Sequence, residues 1–308
     1  MADSTVSLKM NYEIPNNATL QTQYQTVSDN TNFFLFDRVR GTSTPLSTDA
    51  FENLQNNIKN RRAAVPCWDH SRVILSKVDS TTGEDSTYDR ANYVDGFSIG
   101  KKFIATQAPK AETVDNFLDM VWQNRCRYIV VLTKIIENNE EKCYPYWLTH
   151  IGYKKTEKYI VTTKKINEFE EHTKYILKLK NRKIAKEFCI ITLYHYTDWP
   201  ENGTPANVLQ FAGLASSINM DYKDYRFYEK EAAGPIVVHG SAGAGRTGTY
   251  CAIDYCMDQY LQTKTVDVFT AVRRIRSMCH SSVMNVDQYK VIFCVLKEFI
   301  DFLAQYSE

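Results

Sequence analysis

The sequence predicts an α/β fold of the α+β kind, a central twisted mixed sheet flanked by helices, and three stretches carry that prediction. Residues Tyr128 to Thr133, YIVVLT, are almost wholly apolar, as in a strand buried on both faces at the centre of a sheet. Residues 235 to 261 run from a short apolar strand, Ile236 to Val238, through a glycine-bearing loop into a helix with Tyr250, Ile253, Met257 and Leu261 at helical spacing. Tyr159 to Thr163, Lys174 to Leu179 and Glu187 to Tyr196 alternate apolar and polar residues, the pattern of antiparallel strands with one wet face.

In chain order, residues 1 to 30 are rich in Asn, Thr, Gln and Ser and show no clear period, so a polar tail or loosely docked arm is expected there. Composition is globular over 31–303 with no Gly/Ser-rich or Pro-rich linker and no repeat, which predicts a single domain; 304–308 reads as a short tail. Asp69-His70-Ser71-Arg72 reads as a turn feeding a strand. Phe103 to Ala105 make another strand, and Thr113 reads as the N-cap of a helix running to about Asn124 with Phe117, Met120 and Val121 on one face. Pro205 to Met220 reads as a helix with Val208, Leu209, Phe211, Ala212 and Leu214 toward the core, followed by a charged, tyrosine-rich connector. Val266 to Met278 and Val286 to Leu303 are amphipathic helices.

A chain of 308 residues with 44% hydrophobic and 24% charged residues can bury a substantial core. Its net charge of +1 recommends neither nucleic acid nor membrane as a partner. The longest apolar runs fall far short of a bilayer span, and the start MADSTVSLK has no signal-peptide core, so no membrane insertion is expected. Eight cysteines without a C-x-x-C pair predict reduced thiols in a cytoplasmic interior, with no metal and no cofactor.

The loop after Val238 carries the chemistry. Gly240, Gly243 and Gly245 let the backbone curl and aim several N–H groups at one point, at the positive end of the helix that follows. Arg246 adds a planar fork of donors suited to two oxygens of a phosphate. Ser241, Ala242, Gly243, Ala244, Gly245 and Arg246 are therefore the candidate phosphate-binding residues.

The stretch VHGSAGAGRTG resembles the signature loop of protein tyrosine phosphatases, His-Cys-x5-Arg-Ser/Thr, with Gly240 in place of the cysteine. Four further segments resemble the family in the right order. NNIKNRRAAVPCWDHSRV is similar to its KNRY-x5-DHSRV element, with Arg62 where a tyrosine flanks the phosphotyrosine ring and Ala64 where an aspartate grips substrate backbone. ANYVDGFSIGKKFIATQAPKAETVDNFLDMVWQ matches the next element. TDWPENGTP resembles the mobile WPD loop, keeping Trp199 and Pro200 and placing Glu201 at the general-acid position. RSMCHSSVMNVDQY resembles the segment whose two glutamines position the hydrolytic water, with Met284 first and Gln288 second. The resemblance covers about 270 residues by this motif order.

The resemblance implies the tyrosine phosphatase fold over 31–303 and a pocket floor without a nucleophile, since glycine has no side chain to attack phosphorus. Arg62, Trp199 and Gln288 are the expected rim and loop residues, and Gly240, Glu201 and Met284 the degraded catalytic positions. For Lys59, Arg61 and Arg62 a solvated basic face and an anion-gathering rim stay open. Glu137 and Lys142, beside the active site in the family, also read as a surface ion pair on a hairpin. Ser241 is not expected to point into the cradle, Cys251 belongs in the core, and His239 is expected to bond nearby backbone. Losses at several sites favour a natural pseudophosphatase over a single engineered change.

Such a compact domain with a degraded site resembles the tyrosine phosphatase-like proteins of bracoviruses. The implied role is a monomer that binds phosphotyrosine-containing proteins in the host cytoplasm and interferes with tyrosine-phosphate signalling. A scaffold engaging partners outside the pocket, and a weak residual phosphatase, are the alternatives.

Overall fold

The computed structural model describes residues 12–29, 34–37, 42–76, 87–184, 186–228 and 233–305. The chain opens with α1 (Asn17–Asp29), a hairpin of β1 (Phe34–Asp37) and β2 (Thr42–Pro45), and one short turn of helix, α2 (Asp49–Glu52). Next come β3 (Arg72–Ile74), β4 (Tyr88–Val94), β5 (Phe103–Thr106), α3 (Val114–Gln123) and β6 (Tyr128–Val131). A two-stranded hairpin of β7 (Ile136–Glu137) and β8 (Glu140–Glu141) precedes β9 (Gly152–Lys155), β10 (Tyr159–Glu168), β11 (Thr173–Asn181) and β12 (Cys189–His195). The last part holds α4 (Val208–Tyr228), β13 (Ile236–His239), α5 (Gly245–Thr263), α6 (Val268–Met278) and α7 (Val286–Gln305).

Among the described residues, the main sheet runs β3-β4-β5-β13-β6-β12-β11-β10-β9. Its centre is parallel, with β13 between β5 and β6 and β12 beside β6, and its flanks are antiparallel. The parallel strands are apolar because both faces are covered. On β13, Ile236 and Val238 face a core built with α4, α5, α6 and α7, and Val237 faces a second core that holds Phe117, Leu118, Met120 and Val121 of α3. The pleat splits β6 the same way, Tyr128 and Val130 to one core, Ile129 and Val131 to the other. Helix α5 is buried along most of its length, and it carries a buried ion pair, Asp254 with Lys102, whose ammonium also donates to Asn219 at 2.9 Å.

The mixed sheet with helices on it is the fold the periodicities predict. The three alternating stretches are β10, β11 and β12, and the two amphipathic stretches near the end are α6 and α7. Three local expectations are corrected. The stretch expected as a tail or loosely docked arm holds α1: Asn16 accepts from Thr19 N at 2.9 Å at its start, Leu20 and Val27 are buried, and Tyr289 of α7 donates to Gln23 at 3.1 Å. Leu20, Tyr24 and Val27 stand at i, i+4 and i+7, with Tyr24 packed on the core beside Tyr289, and this narrow stripe docks a helix whose other faces stay wet. Residues 1–11 of that stretch, and 306–308 of the expected C-terminal tail, lie outside the described residues.

Helix α4 continues through part of the expected connector to Tyr228, because Tyr222 is buried and Asp221 is bonded by Lys174 and the Tyr194 hydroxyl. Leu209, expected in the core, is 52% exposed on the solvent face of the first turn. Thr113 stands at the N-cap of α3 as expected but makes no side-chain capping bond; its hydroxyl accepts from Lys110 N at 3.0 Å and shapes the turn before α3 instead. All eight cysteines are free thiols, seven buried and Cys294 half-buried. Among the described residues no helix is long and apolar enough to cross a membrane.

If α1 is docked through its buried leucine, Leu20→Ala costs about 2–4 kcal/mol in a urea titration. A change below about 0.5 kcal/mol would mean an undocked arm.

Candidate anion-binding site

Strand β13 ends at the centre of the parallel strands, where an α/β sheet leaves a crevice beyond its carboxyl edge. The chain must turn there from strand to helix within residues 240–245, and its carbonyls are held by surrounding groups. Ala108 N donates to Ser241 O at 2.9 Å, Arg90 donates to Gly243 O at 3.5 Å, and Thr249 Oγ1 donates to Gly245 O at 2.8 Å. Gly243 has φ +74°, and a Cβ there would lie 2.4 Å from the Thr106 carbonyl, so only glycine fits. With the carbonyls so engaged, the N–H groups of Ser241 to Arg246 have no acceptor among the described residues. They surround a cavity of about 40 Å³ lined by Gly240 to Thr247 together with Glu201, Asn202, Met284 and Gln288. Ser241 is among the lining residues, and its hydroxyl is buried without a hydrogen-bond partner. A ring of unpaired donors at the start of α5 is an electrostatic invitation to an anion.

Gly240 sits at the floor. Its N–H donates to Thr247 Oγ1 at 2.9 Å, and a Cβ added to it would meet Arg246 Nε at 3.4 Å and Arg246 Cβ at 3.5 Å. The floor therefore has room for a side chain, and its glycine is not demanded by the backbone. Cys251, on α5, is buried in the core, with its thiol pushed up well above the usual range by burial. His239 bonds the Gly240 carbonyl at 3.1 Å and the Tyr146 hydroxyl at 2.9 Å. Burial drives its imidazole down to about 3, against the Gly240 hydrogen bond.

Arg246 is 6% exposed. Its guanidinium donates to the Trp199 carbonyl and to Glu137 Oε1, both at 2.7 Å. Trp199, wholly buried, donates from its indole to Gly203 O at 2.8 Å and packs edge-on against Phe211, so the loop that carries Glu201 is held down over Arg246. Glu137 and Lys142 are thus not each other's partners: the surface-pair reading is corrected, and Glu137 belongs to the cradle. Burial pushes the Glu137 carboxyl up, but hydrogen bonding and charge from Arg246 outweigh it and leave the pKa lowered.

The mouth is ionic. Glu201 is held by Lys142 at 2.7 Å and by Arg62 at 3.5 Å, and Arg62 also reaches Glu140 at 3.7 Å. Arg61, beside it, is tied to the carbonyls of Ala108, Pro109 and Glu141, so of the two arginines only Arg62 belongs to the rim. Gln288 spends its side-chain oxygen on Met284 N at 2.9 Å, and the Met284 thioether side is 44% exposed at the edge. The structure brings together every predicted phosphate-binding residue with Arg62, Trp199, Glu201, Met284 and Gln288. Sequence reasoning missed Thr247 as the floor's anchor and the tie from Asn285 Nδ2 to Asn202 O at 2.9 Å. A hydroxyl right after the arginine was a signal for the first; nothing local signalled the second.

The family model for protein-tyrosine phosphatase matches residues 56–298. The chain belongs to the protein-tyrosine phosphatase family. A Microplitis demolitor bracovirus protein described as probable tyrosine phosphatase protein N1 is 39% identical over 245 residues, 78% of this chain and 75% of its own. Tyrosine phosphatase-like protein J1 of the same virus is 35% identical over 250 residues, 78% of this chain and 79% of its own. Human receptor-type tyrosine-protein phosphatase zeta is 34% identical over 83% of this chain, which spans only 11% of that receptor. The matched span holds the cradle, the loop above it and the segment after α6.

Two consequences are measurable. Glu137→Ala leaves a buried guanidinium without its carboxylate and costs about 3 kcal/mol in urea unfolding, whereas Arg62→Ala, at a half-exposed pair, costs under about 1 kcal/mol. Because the folded-state pKa of His239 lies below its unfolded value of 6.5, the unfolded chain takes up a proton first and stability is lost on acidification. His239→Gln should therefore lose about 1 kcal/mol less than the parent between about pH 6.5 and 5.5 in parallel melts.

Proposed function

We propose that this domain binds phosphotyrosine-containing proteins without hydrolysing them, as a pseudophosphatase. The observation that carries the reading is a ring of loop N–H groups with no acceptor among the described residues, over Gly240, the position where the family's thiolate attacks. Loss of a thiolate removes a negative charge from the floor and eases entry of a dianion. Glu201, paired with Lys142 and Arg62, and Met284, in place of a water-holding amide, weigh in the same direction. The bracovirus relatives are described as tyrosine phosphatase proteins, and the proposal extends from that to interference with tyrosine-phosphate signalling in the cytoplasm of a host cell, by a monomer that shields its ligands. A scaffold reading has one observation in its favour, the Arg62–Glu201 bridge across the mouth.

Calorimetric titration with a phosphotyrosine peptide tests the reading. Binding is expected, weakened at least about tenfold by Arg246→Lys, which keeps the charge and removes the fork. Turnover of para-nitrophenyl phosphate should not exceed that of an Arg246→Ala control. Absence of peptide binding would favour the scaffold, and turnover above the control a residual enzyme.

A further inference from the structure

Charge is unevenly spread over this nearly neutral chain. Between His150 and Ile190 eleven Lys and Arg stand against five Glu, so the rest of the chain carries a net negative charge. This basic stretch folds into the antiparallel wing of the sheet, β9 to β12.

The pleat sends Val161, Leu177, Leu179 and Ile191 inward to the second core. The opposite face carries three rows defined by the strand register. Lys155, Ile160 and Lys180 form one; Tyr153, Thr162, Lys178 and Ile190 the next; Lys165, Ile176 and Thr192 the third. Every row sets lysine beside an apolar side chain, and every one of these residues is exposed or half-buried. Tyr153 is 60% exposed, Phe188 52% and Ile190 42%. The Lys178 ammonium lies 4.0 Å from the centre of the Phe188 ring. Lys155, Lys165, Lys178 and Lys180 have no carboxylate partner among the described residues.

We propose that this outer face of β9–β12 docks peripherally on an anionic lipid bilayer. A broad face of a four-stranded sheet, about 30 Å along its longest strand, matches a plane rather than a groove. Exposed aromatic and branched side chains can enter the headgroup boundary while lysine stems lie along them and carry the ammonium groups to the phosphates. Single-sign charge supplies the attraction to anionic lipid, and the apolar residues supply the second anchor that charge alone lacks. Ten of the eleven cations are lysine, so the bidentate forks that read nucleic-acid bases are nearly absent. No helix among the described residues can span the bilayer, so attachment is to the surface.

Sedimentation of the full chain with lipid vesicles tests this. It should pellet with phosphatidylcholine vesicles doped with phosphatidylserine and not with phosphatidylcholine alone. Lys178→Gln with Lys180→Gln should lower partitioning about thirtyfold. Phe188→Ser, which changes no charge, should lower it as well, and melts of both variants should match the parent because all three side chains are partly or largely exposed. Equal pelleting with neutral vesicles, no pelleting, or variants that partition like the parent would overturn the proposal. So would an effect of the lysine pair with none from Phe188→Ser, or tighter binding to a DNA duplex or to polyglutamate than to the doped vesicles.

Discussion

The cradle depends on one buried ion pair and its neighbour, Arg246 held between Glu137 and the Trp199 carbonyl. Removing a guanidinium from water is costly unless its donors are met, and the geometry here meets them with one carboxylate and one carbonyl. Those contacts draw together the β7–β8 hairpin, the loop before α4 and the start of α5. The loop from Gly240 to Gly245 is shaped from outside, by bonds to its carbonyls and by the close approach of Gly243 to Thr106. None of these supports uses the side chain of residue 240. The form of the cradle therefore does not depend on a side chain at position 240.

The mouth is lined with charge. Arg62 reaches across to Glu201 on the loop above the cradle. Lys142 holds the same carboxylate from the other side, and burial, which would discharge it, is outweighed by Glu140 and Glu201 so that its pKa is raised. The Arg62–Glu201 bridge, with its arginine half-exposed, contributes little to stability, whereas the lysine of the Lys142–Glu201 bridge is buried. The buried Glu137–Arg246 pair and the exposed Arg62–Glu201 pair thus play different parts within one site.

Much of the site was legible because its residues are consecutive. A strand, four glycines, an arginine and a helix lie within 235–261, so the loop can be read from the chain without knowledge of distant contacts. The central strands were legible because burial on both faces demands apolar runs. Helix α1 was not, because its apolar stripe of Leu20, Tyr24 and Val27 is narrow and set among Asn, Thr and Gln, so its period is weak. The partner of Glu137 was not, because Arg246 stands 109 residues away and Lys142 stands nearer in the chain.

The amino-acid sequence alone determined the class of fold and the glycine-bearing turn from strand to helix that begins at Gly240, since each is written in local pattern and residue type. Only the tertiary structure decided which carboxylate meets Arg246, that Arg62 spans the mouth to Glu201, and that the lysines of β9–β12 share one open face. Pairing between distant segments follows from how the sheet and helices pack, and no local propensity encodes it.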